Sequence, residues 1–170
     1  YGTAAGVTRS AETANGSGDA ATFNDSEGVL MAEISALDND SIGSRAIALS
    51  DGSGSNRIYF FYDTLKRITV QIISSSLNVF SFTHILTNQE EVMKFAFNYK
   101  ANNISLFING IEITKDATVT SMPLNLNRLG FDSGGGFSNF YGNVKQLQYY
   151  DTALTDSDLE TLTSWVSFTD

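Results

Sequence analysis

The sequence predicts an all-β fold, an antiparallel two-sheet β-sandwich with one short helix near the C-terminus. Blocks of aromatic and β-branched residues alternate with clusters of Gly, Asn, Asp and Ser, which is the pattern of short strands joined by turns. Twelve Phe and seven Tyr among 170 residues favour sheet over helix. Roughly ten or more short strands in one chain are typical of two antiparallel sheets packed face to face.

Two polar segments divide the strands of the first half, residues 38–43 and the turn DGSGSN at 51–56. In the second half, Asn109 and Gly110 stand between two apolar runs and predict a two-residue hairpin, because both positions need a positive φ. A second glycine-rich loop covers 132–136. The predicted strands are 28–37, 45–49, 57–62, 67–73, 78–83, 92–99, 104–108, 111–113, 126–131 and 140–150.

The last predicted strand leads directly into the helix. Gly142 interrupts this strand and indicates a bulge or a close backbone approach. Thr155 precedes Asp158 by three residues, a near capping box with Asp in place of Glu or Gln. The leucines of this segment are expected to close the helix onto the sandwich; they are Leu154, Leu159 and Leu162. Trp165 is expected to pack the following tail against the sandwich or a neighbouring domain.

Length and composition indicate one domain with a sizeable core. Residues 1–20 are rich in Ala, Gly, Ser and Thr and predict a linker or edge strand, so the sandwich domain is expected over 21–170. The chain opens with YGTAAG, without a methionine or a secretion signal. We therefore expect flanking domains of a longer parent protein.

Charge and residue usage exclude several classes of partner. A net charge of −9 disfavours nucleic acid and anionic membranes, which need basic patches. The sequence has no apolar run of about eighteen residues, so no membrane insertion is expected. It has no cysteine, which rules out disulfides and thiolate zinc sites.

Several blocks carry a resemblance to a known family. The ending Gly142, Val144, Leu147, Tyr149, Tyr150, Ala153, Leu154 and Thr155 resembles the last strand and helical turn of laminin G-like, concanavalin A-like jelly-roll domains. The hairpin FAFNYKANNISLFINGIEI and the block LGFDSGGGFSNFYG are similar to lectin-like modules of phage tail fibres and other virion proteins. The resemblance implies a concanavalin A-like jelly roll and a virion or extracellular location. Its functions include lectins, adhesion modules, glycanases and structural spacers.

Catalysis is not expected. Glucanases that share the resembled fold place alternating acids on one strand, and retaining chemistry needs two carboxylates about 5 Å apart. The only such spacing here is Asp156, Asp158 and Glu160, which falls in the capped helix. His84 is the single histidine, and no nucleophile or orienting acid can be assigned to it from the sequence. We therefore predict a noncatalytic protein.

A structural calcium ion is a further expectation. Asp38 and Asp40 open a segment that begins like an EF-hand loop, with Gly43 at its sixth position. Ile42 and Leu49 break that pattern at positions five and twelve. Asp132 lies in the second glycine-rich loop and is the remaining candidate ligand, because calcium accepts irregular oxygen shells.

The two glycine-rich turns predict a carbohydrate-binding site. Glycine allows the backbone to approach a ligand, and alternate strand residues can place an aromatic face beside polar groups. The partner would be a poly- or oligosaccharide. The alternatives are a structural or protein-binding spacer and the binding module of a larger polysaccharide-degrading enzyme. The predicted ligand-binding residues are Asp51, Asn56, Arg57, Tyr59, Gln71, Asp132, Asn139 and Tyr141.

Overall fold

The computed structural model describes residues 17–37 and 43–166. Within these ranges the chain forms ten strands and one helix. They are β1 Glu27–Ala36, β2 Arg45–Ser50, β3 Arg57–Tyr62, β4 Arg67–Ser74, β5 Leu77–Ile85, β6 Met93–Lys100, β7 Ile104–Ile108, β8 Ile111–Asp116, β9 Arg128–Gly130, β10 Gly142–Tyr150 and α1 Asp156–Thr163.

The strands form two five-stranded sheets. One has the order β10-β1-β6-β7-β8, and because α1 packs on it we call it the covered sheet. The other has the order β5-β4-β3-β2-β9 and is called the open sheet. Every ladder is antiparallel, so the predicted fold class, a jelly-roll β-sandwich with one short helix, is confirmed.

Strand boundaries follow the sequence closely where turn residues bound the strand on both sides. β3 and β7 have the predicted bounds, whereas β9 is shorter than the predicted 126–131. The Asp132 carboxylate accepts the Gly134 amide at 2.6 Å, which turns the chain directly after β9. β10 begins at Gly142 because the Phe140 amide donates back to Phe131 across the preceding loop.

Two glycines have the predicted roles. Asn109 and Gly110 join β7 to β8 with φ angles of 50° and 82°, as the hairpin requires. At Gly142, an added Cβ would lie 2.1 Å from the Ser35 carbonyl oxygen, so only glycine fits beside β1. The β1–β10 ladder also shifts register near this point, between Glu33 and Ile34.

The main core lies between the sheets and is rich in aromatic rings. Ile58, Phe60 and Tyr62 alternate along β3 and face inward. The Phe60 ring stacks on Phe95 of the covered sheet, with centroids 6.4 Å apart. A fully buried side chain of this size contributes about 1.5–3 kcal/mol through removal from water.

The helix covers the outer face of the covered sheet. Thr155 is its N-cap, and its hydroxyl accepts the Asp158 amide at 3.2 Å and donates to the Asp158 carboxylate at 2.7 Å. Leu159 is fully buried, and Leu154 and Leu162 pack beside it, as predicted. The sheet residues beneath are Val29, Met31, Ala96 and Phe107. No helix in the described part of the chain has the length and apolar composition needed to cross a membrane.

Trp165 packs the end of the described chain against the covered sheet. Its indole N–H donates to the Asn109 side chain at 3.1 Å. The Lys94 ammonium lies 4.6 Å from the ring centroid, a cation–π distance. Trp165 therefore packs the tail on the sandwich, which is one of the two arrangements expected from the sequence.

Candidate ligand-binding site

The outer face of the open sheet carries a small aromatic surface. Tyr59 and Phe61 alternate on β3 and point away from the core, and their rings stack with centroids 5.4 Å apart. Ala48 and Ala46 lie directly opposite them on β2. Because alanine is small, the ring faces stand beside a shallow trough.

A cleft of about 160 Å³ occupies this trough. Aromatic and small side chains form its floor, and serines and one arginine form its rim. The lining residues are Ser44, Ala46, Arg57, Tyr59, Phe61, Ser133 and Ser138.

One side of the cleft is formed by residues 131–141, which we call the wall loop. Its amides are tied internally, since Ser133 donates to Phe137 at 2.7 Å and Phe140 donates to Phe131 at 2.9 Å. The Ala46 amide of β2 donates to Ser138 at 2.9 Å and fixes the loop to the sheet. The wall loop is therefore held in place on both sides.

The structure brings the two glycine-rich turns together. The Ser50 hydroxyl donates to the Gly134 carbonyl at 3.2 Å. A Cβ on Gly134 would meet the Ser50 side chain at 2.9 Å, so glycine permits the approach at this positive φ of 93°. Gly135 faces Gly54 across a gap of 3.6 Å from its ideal Cβ position to the Gly54 nitrogen.

Arg57 is the charged residue of the cleft. Its Cζ lies 4.1 Å from the Tyr59 ring centroid, and Nη1 donates to the Ser133 carbonyl. Its Nε is buried without a hydrogen-bond partner. The Tyr59 hydroxyl in turn donates to the Gln71 side chain. Burial raises the pKa of Tyr59, and the Arg57 charge offsets part of that rise.

Asp51 and Asn56 hold the first turn together. The Asp51 carboxylate accepts the amide and hydroxyl of Ser53 at 2.9 and 2.6 Å, and the Asn56 side chain at 3.0 Å. Burial acts to raise the pKa of Asp51, but the hydrogen bonds from Ser53 and Asn56 lower it overall. Asn56 also accepts the amides of Ser75 and Leu124. Asp51 and Asn56 thus hold the turn that leads into β3, and Arg57 is the first residue of that strand.

Asp132 lies near the start of the wall loop, where its buried carboxylate pairs with Arg128 and accepts the Gly134 amide. A calcium ion at Asp132 would have to displace that guanidinium, so its surroundings do not fit the ion. Asp38 and Asp40 lie outside the described residues. Across the described ranges, no three acidic or histidine side chains form a cluster suited to a metal.

The remaining predicted residues surround the cleft without lining it. Gln71 supports Tyr59 from the neighbouring strand and donates to Ser81 at 3.1 Å. Asn139 and Tyr141 lie in the last part of the wall loop, just before β10. The ligand-binding role of all eight residues stays a prediction.

The eight predicted residues include two that line the cleft, Arg57 and Tyr59, and omit five others: Ser44, Ala46, Phe61, Ser133 and Ser138. The alternating alanines of RAIALS carried a usable signal, because small outward residues beside an aromatic strand leave a trough. The serines reach the cleft only through the packing of the loops, which no local pattern encodes.

The acidic and histidine candidates for catalysis lie elsewhere. Asp156, Asp158 and Glu160 are in α1, as predicted, on the side of the covered sheet. His84 pairs with Ile68, which faces the core, and so shares the side of the open sheet opposite the cleft.

The sequence matches the family model for the concanavalin A-like lectin/glucanases superfamily over residues 35–160. The chain belongs to this superfamily. The resemblance to laminin G-like, concanavalin A-like domains is thereby confirmed. No curated protein sequence matches the chain significantly.

Three solved structures contain domains with a similar fold. An intramolecular trans-sialidase from leech has a TM-score of 0.67 and 12% identity, covering 86% of this chain and 24% of that one. The K499G mutant of NanB sialidase from Streptococcus pneumoniae has a TM-score of 0.67 and 14% sequence identity, covering 85% of this chain and 25% of that one. The IT-sialidase CBM40 from Ruminococcus gnavus, bound to α2,3 sialyllactose, has a TM-score of 0.66 and 11% sequence identity, covering 83% of this chain and 84% of that one. The chain thus spans about a quarter of the two sialidases but most of the R. gnavus module.

Proposed function

We propose that this domain is a noncatalytic, lectin-like module that binds an oligosaccharide reversibly in the cleft of the open sheet. One observation carries the proposal: a stacked aromatic pair, Tyr59 and Phe61, lies on a sheet face that no helix of the described residues covers, and hydroxyls and a guanidinium rim it. A concave apolar floor with few polar groups is the usual form of a small-ligand site.

The cleft offers both interactions that a sugar needs. The partly buried Phe61 ring suits the C–H face of a pyranose, and the rim donors suit its oxygens. Tyr59 is only 7% exposed and supports Phe61 from the floor of the cleft. Phe137, at the tip of the wall loop, is 77% exposed and supplies an additional aromatic surface beside the rim. A cleft this small predicts millimolar to micromolar affinity, about 4 to 8 kcal/mol.

The R. gnavus module supports the assignment, because it has the same fold over most of its length and its structure holds sialyllactose. At 11% identity the likeness concerns the fold, so the site itself is argued from the cleft.

We further propose that the domain belongs to a phage tail or other virion or extracellular protein with flanking domains. The support is the resemblance of the block LGFDSGGGFSNFYG to lectin-like virion modules. Several copies on one particle would raise avidity by roughly 10²–10⁴ without new contacts. A structural calcium ion at Asp38 and Asp40 belongs to this proposal and is tested by titrating the domain with calcium chloride.

The function is tested on an array of poly- and oligosaccharides, with and without calcium. Tyr59→Ala removes the aromatic floor and is expected to weaken binding of any hit at least tenfold. Ile111→Ala is the matched control, because Ile111 is 64% exposed on β8 of the covered sheet. No binding of any glycan by the folded domain would indicate a structural or protein-binding spacer instead.

A further inference from the structure

The polar side chains that line the cleft are all hydrogen-bond donors or hydroxyls. They are the Arg57 guanidinium and the hydroxyls of Ser44, Ser133 and Ser138. No carboxylate or side-chain amide lines the cleft as described. The serine hydroxyls can donate or accept, so the one charged group of the lining is a cation, which suits an anionic group of a ligand.

Arg57 has unused donor capacity. A guanidinium carries five N–H donors, and the only hydrogen bond of Arg57 within the described ranges runs from Nη1 to the Ser133 carbonyl. Its Nε is buried without an acceptor, and no Asp or Glu in the described ranges lies within ion-pair distance of it. The donors that remain open to a bound anion are those of the Nη groups that do not bond Ser133.

The nearest acids are engaged in other contacts. Asp51 is saturated by Ser53 and Asn56 within its turn. Asp132 is neutralised by Arg128 and by the Gly134 amide. The field inside the cleft is therefore set by Arg57, although the chain as a whole carries a net charge of −9.

We infer that the cleft selects acidic glycans, with a carboxylate or sulfate group of the sugar held by Arg57 and the rim serines. This inference rests on the proposed function and names its ligand class. Planar, two-oxygen acceptors pair with the guanidinium fork through two parallel hydrogen bonds. The ring of the same sugar would then lie on Tyr59 and Phe61.

The experiment compares acidic glycans with neutral counterparts, and polygalacturonate with its carboxyl-reduced form is the pair that differs only in the carboxylate. Calorimetric titrations use 3'-sialyllactose, 3'-sulfated lactose and lactose, together with polygalacturonate and its carboxyl-reduced form. An acidic member of a set is expected to bind at least tenfold more tightly than its neutral partner. The sialylated and sulfated arms separate a carboxylate requirement from a sulfate requirement.

Arg57→Gln is expected to abolish that preference, and Arg57→Lys is expected to retain part of it because it keeps the charge. Arg67→Gln is the matched control, since Arg67 lies on the same sheet face but is paired with Asp63 at 2.6 Å. Amide NMR spectra of each variant check that the wall loop keeps its position.

The outcomes separate the two proposals. Equal affinity for neutral and acidic partners, or no effect of Arg57→Gln, overturns the acidic-glycan inference and leaves the binding module in place. Absence of binding to every glycan, with native amide spectra, overturns the proposed function and the inference with it.

Discussion

The two sheets have similar strand patterns but different outer faces. On the covered sheet, Val29, Met31 and Phe107 point outward and are buried under α1. On the open sheet, Tyr59 and Phe61 point outward beside two alanines, and the wall loop lies at one side. The helix therefore decides which face of the sandwich is available to a ligand.

The largest expected effect is on the covered face. Leu159→Ala removes the fully buried anchor of α1 and should cost about 2–5 kcal/mol, as large-to-small substitutions in a core do. Urea unfolding measures the loss, and glycan affinity at low denaturant should stay unchanged. Leu65→Ala, 64% exposed, is the control and should lie within about 0.5 kcal/mol of the parent. Loss of binding in Leu159→Ala would show that the two faces are coupled.

Glycines at the edges of the two sheets sharpen the contrast. Gly142→Ala places a Cβ against the Ser35 carbonyl in the covered sheet, and backbone cannot yield as a side chain does. We expect a loss of about 1–3 kcal/mol from this overpacking. Gly54→Ala, in the turn before β3, has its nearest neighbour at 3.9 Å and should change stability by less than about 0.5 kcal/mol. Equal melting temperatures for the two variants would contradict this picture.

The helix cap gives a smaller effect. Thr155→Ala removes the hydroxyl that accepts the Asp158 amide, and N-cap losses cost about 0.5–2 kcal/mol. Thermal unfolding measures it, and Thr155→Ser should restore most of the loss because the serine hydroxyl can cap equally well. A serine variant as unstable as the alanine variant would mean that the threonine methyl, not the cap, carries the effect.

The smallest effect is a pH dependence on the covered sheet. The Ala153 amide donates to Glu27 at 2.9 Å and is the main cause that lowers the pKa of Glu27 below 4.5. A carboxylate whose pKa is lower in the folded state stabilises the fold at pH values above its pKa in the unfolded state. That contribution is lost as the pH falls through its pKa in the folded state. Glu27→Gln should therefore cost less than about 1 kcal/mol at pH 7 and nothing near pH 2. A stability difference between Glu27→Gln and the parent that grows as the pH falls would contradict this prediction.

Much of the fold could be predicted because its signals are local. The turn signals on either side gave β3 its bounds, Asn109 and Gly110 marked a hairpin, and Thr155 marked the helix start. Which element covers the outer face of each sheet depends on tertiary packing and was not predictable.

The candidate site was predictable only in part. Tyr59 and Gln71 follow from strand periodicity, and the structure places them side by side on the open sheet. Asp51 and Asn56 have the residue types of a sugar site, but the turn uses their oxygens. Sequence does not distinguish a carboxylate that holds a turn from one that meets a ligand, because the two differ only in which donors reach it.

The fixed wall loop has a consequence for kinetics. Ser133, Ser138 and Phe140 tie it to itself and to β2, so the cleft needs no closing motion before a ligand enters. Association without rearrangement is limited by encounter and orientation alone. Weak affinity in this domain would then appear as rapid release, with each sugar leaving and being replaced many times while a multivalent particle stays attached.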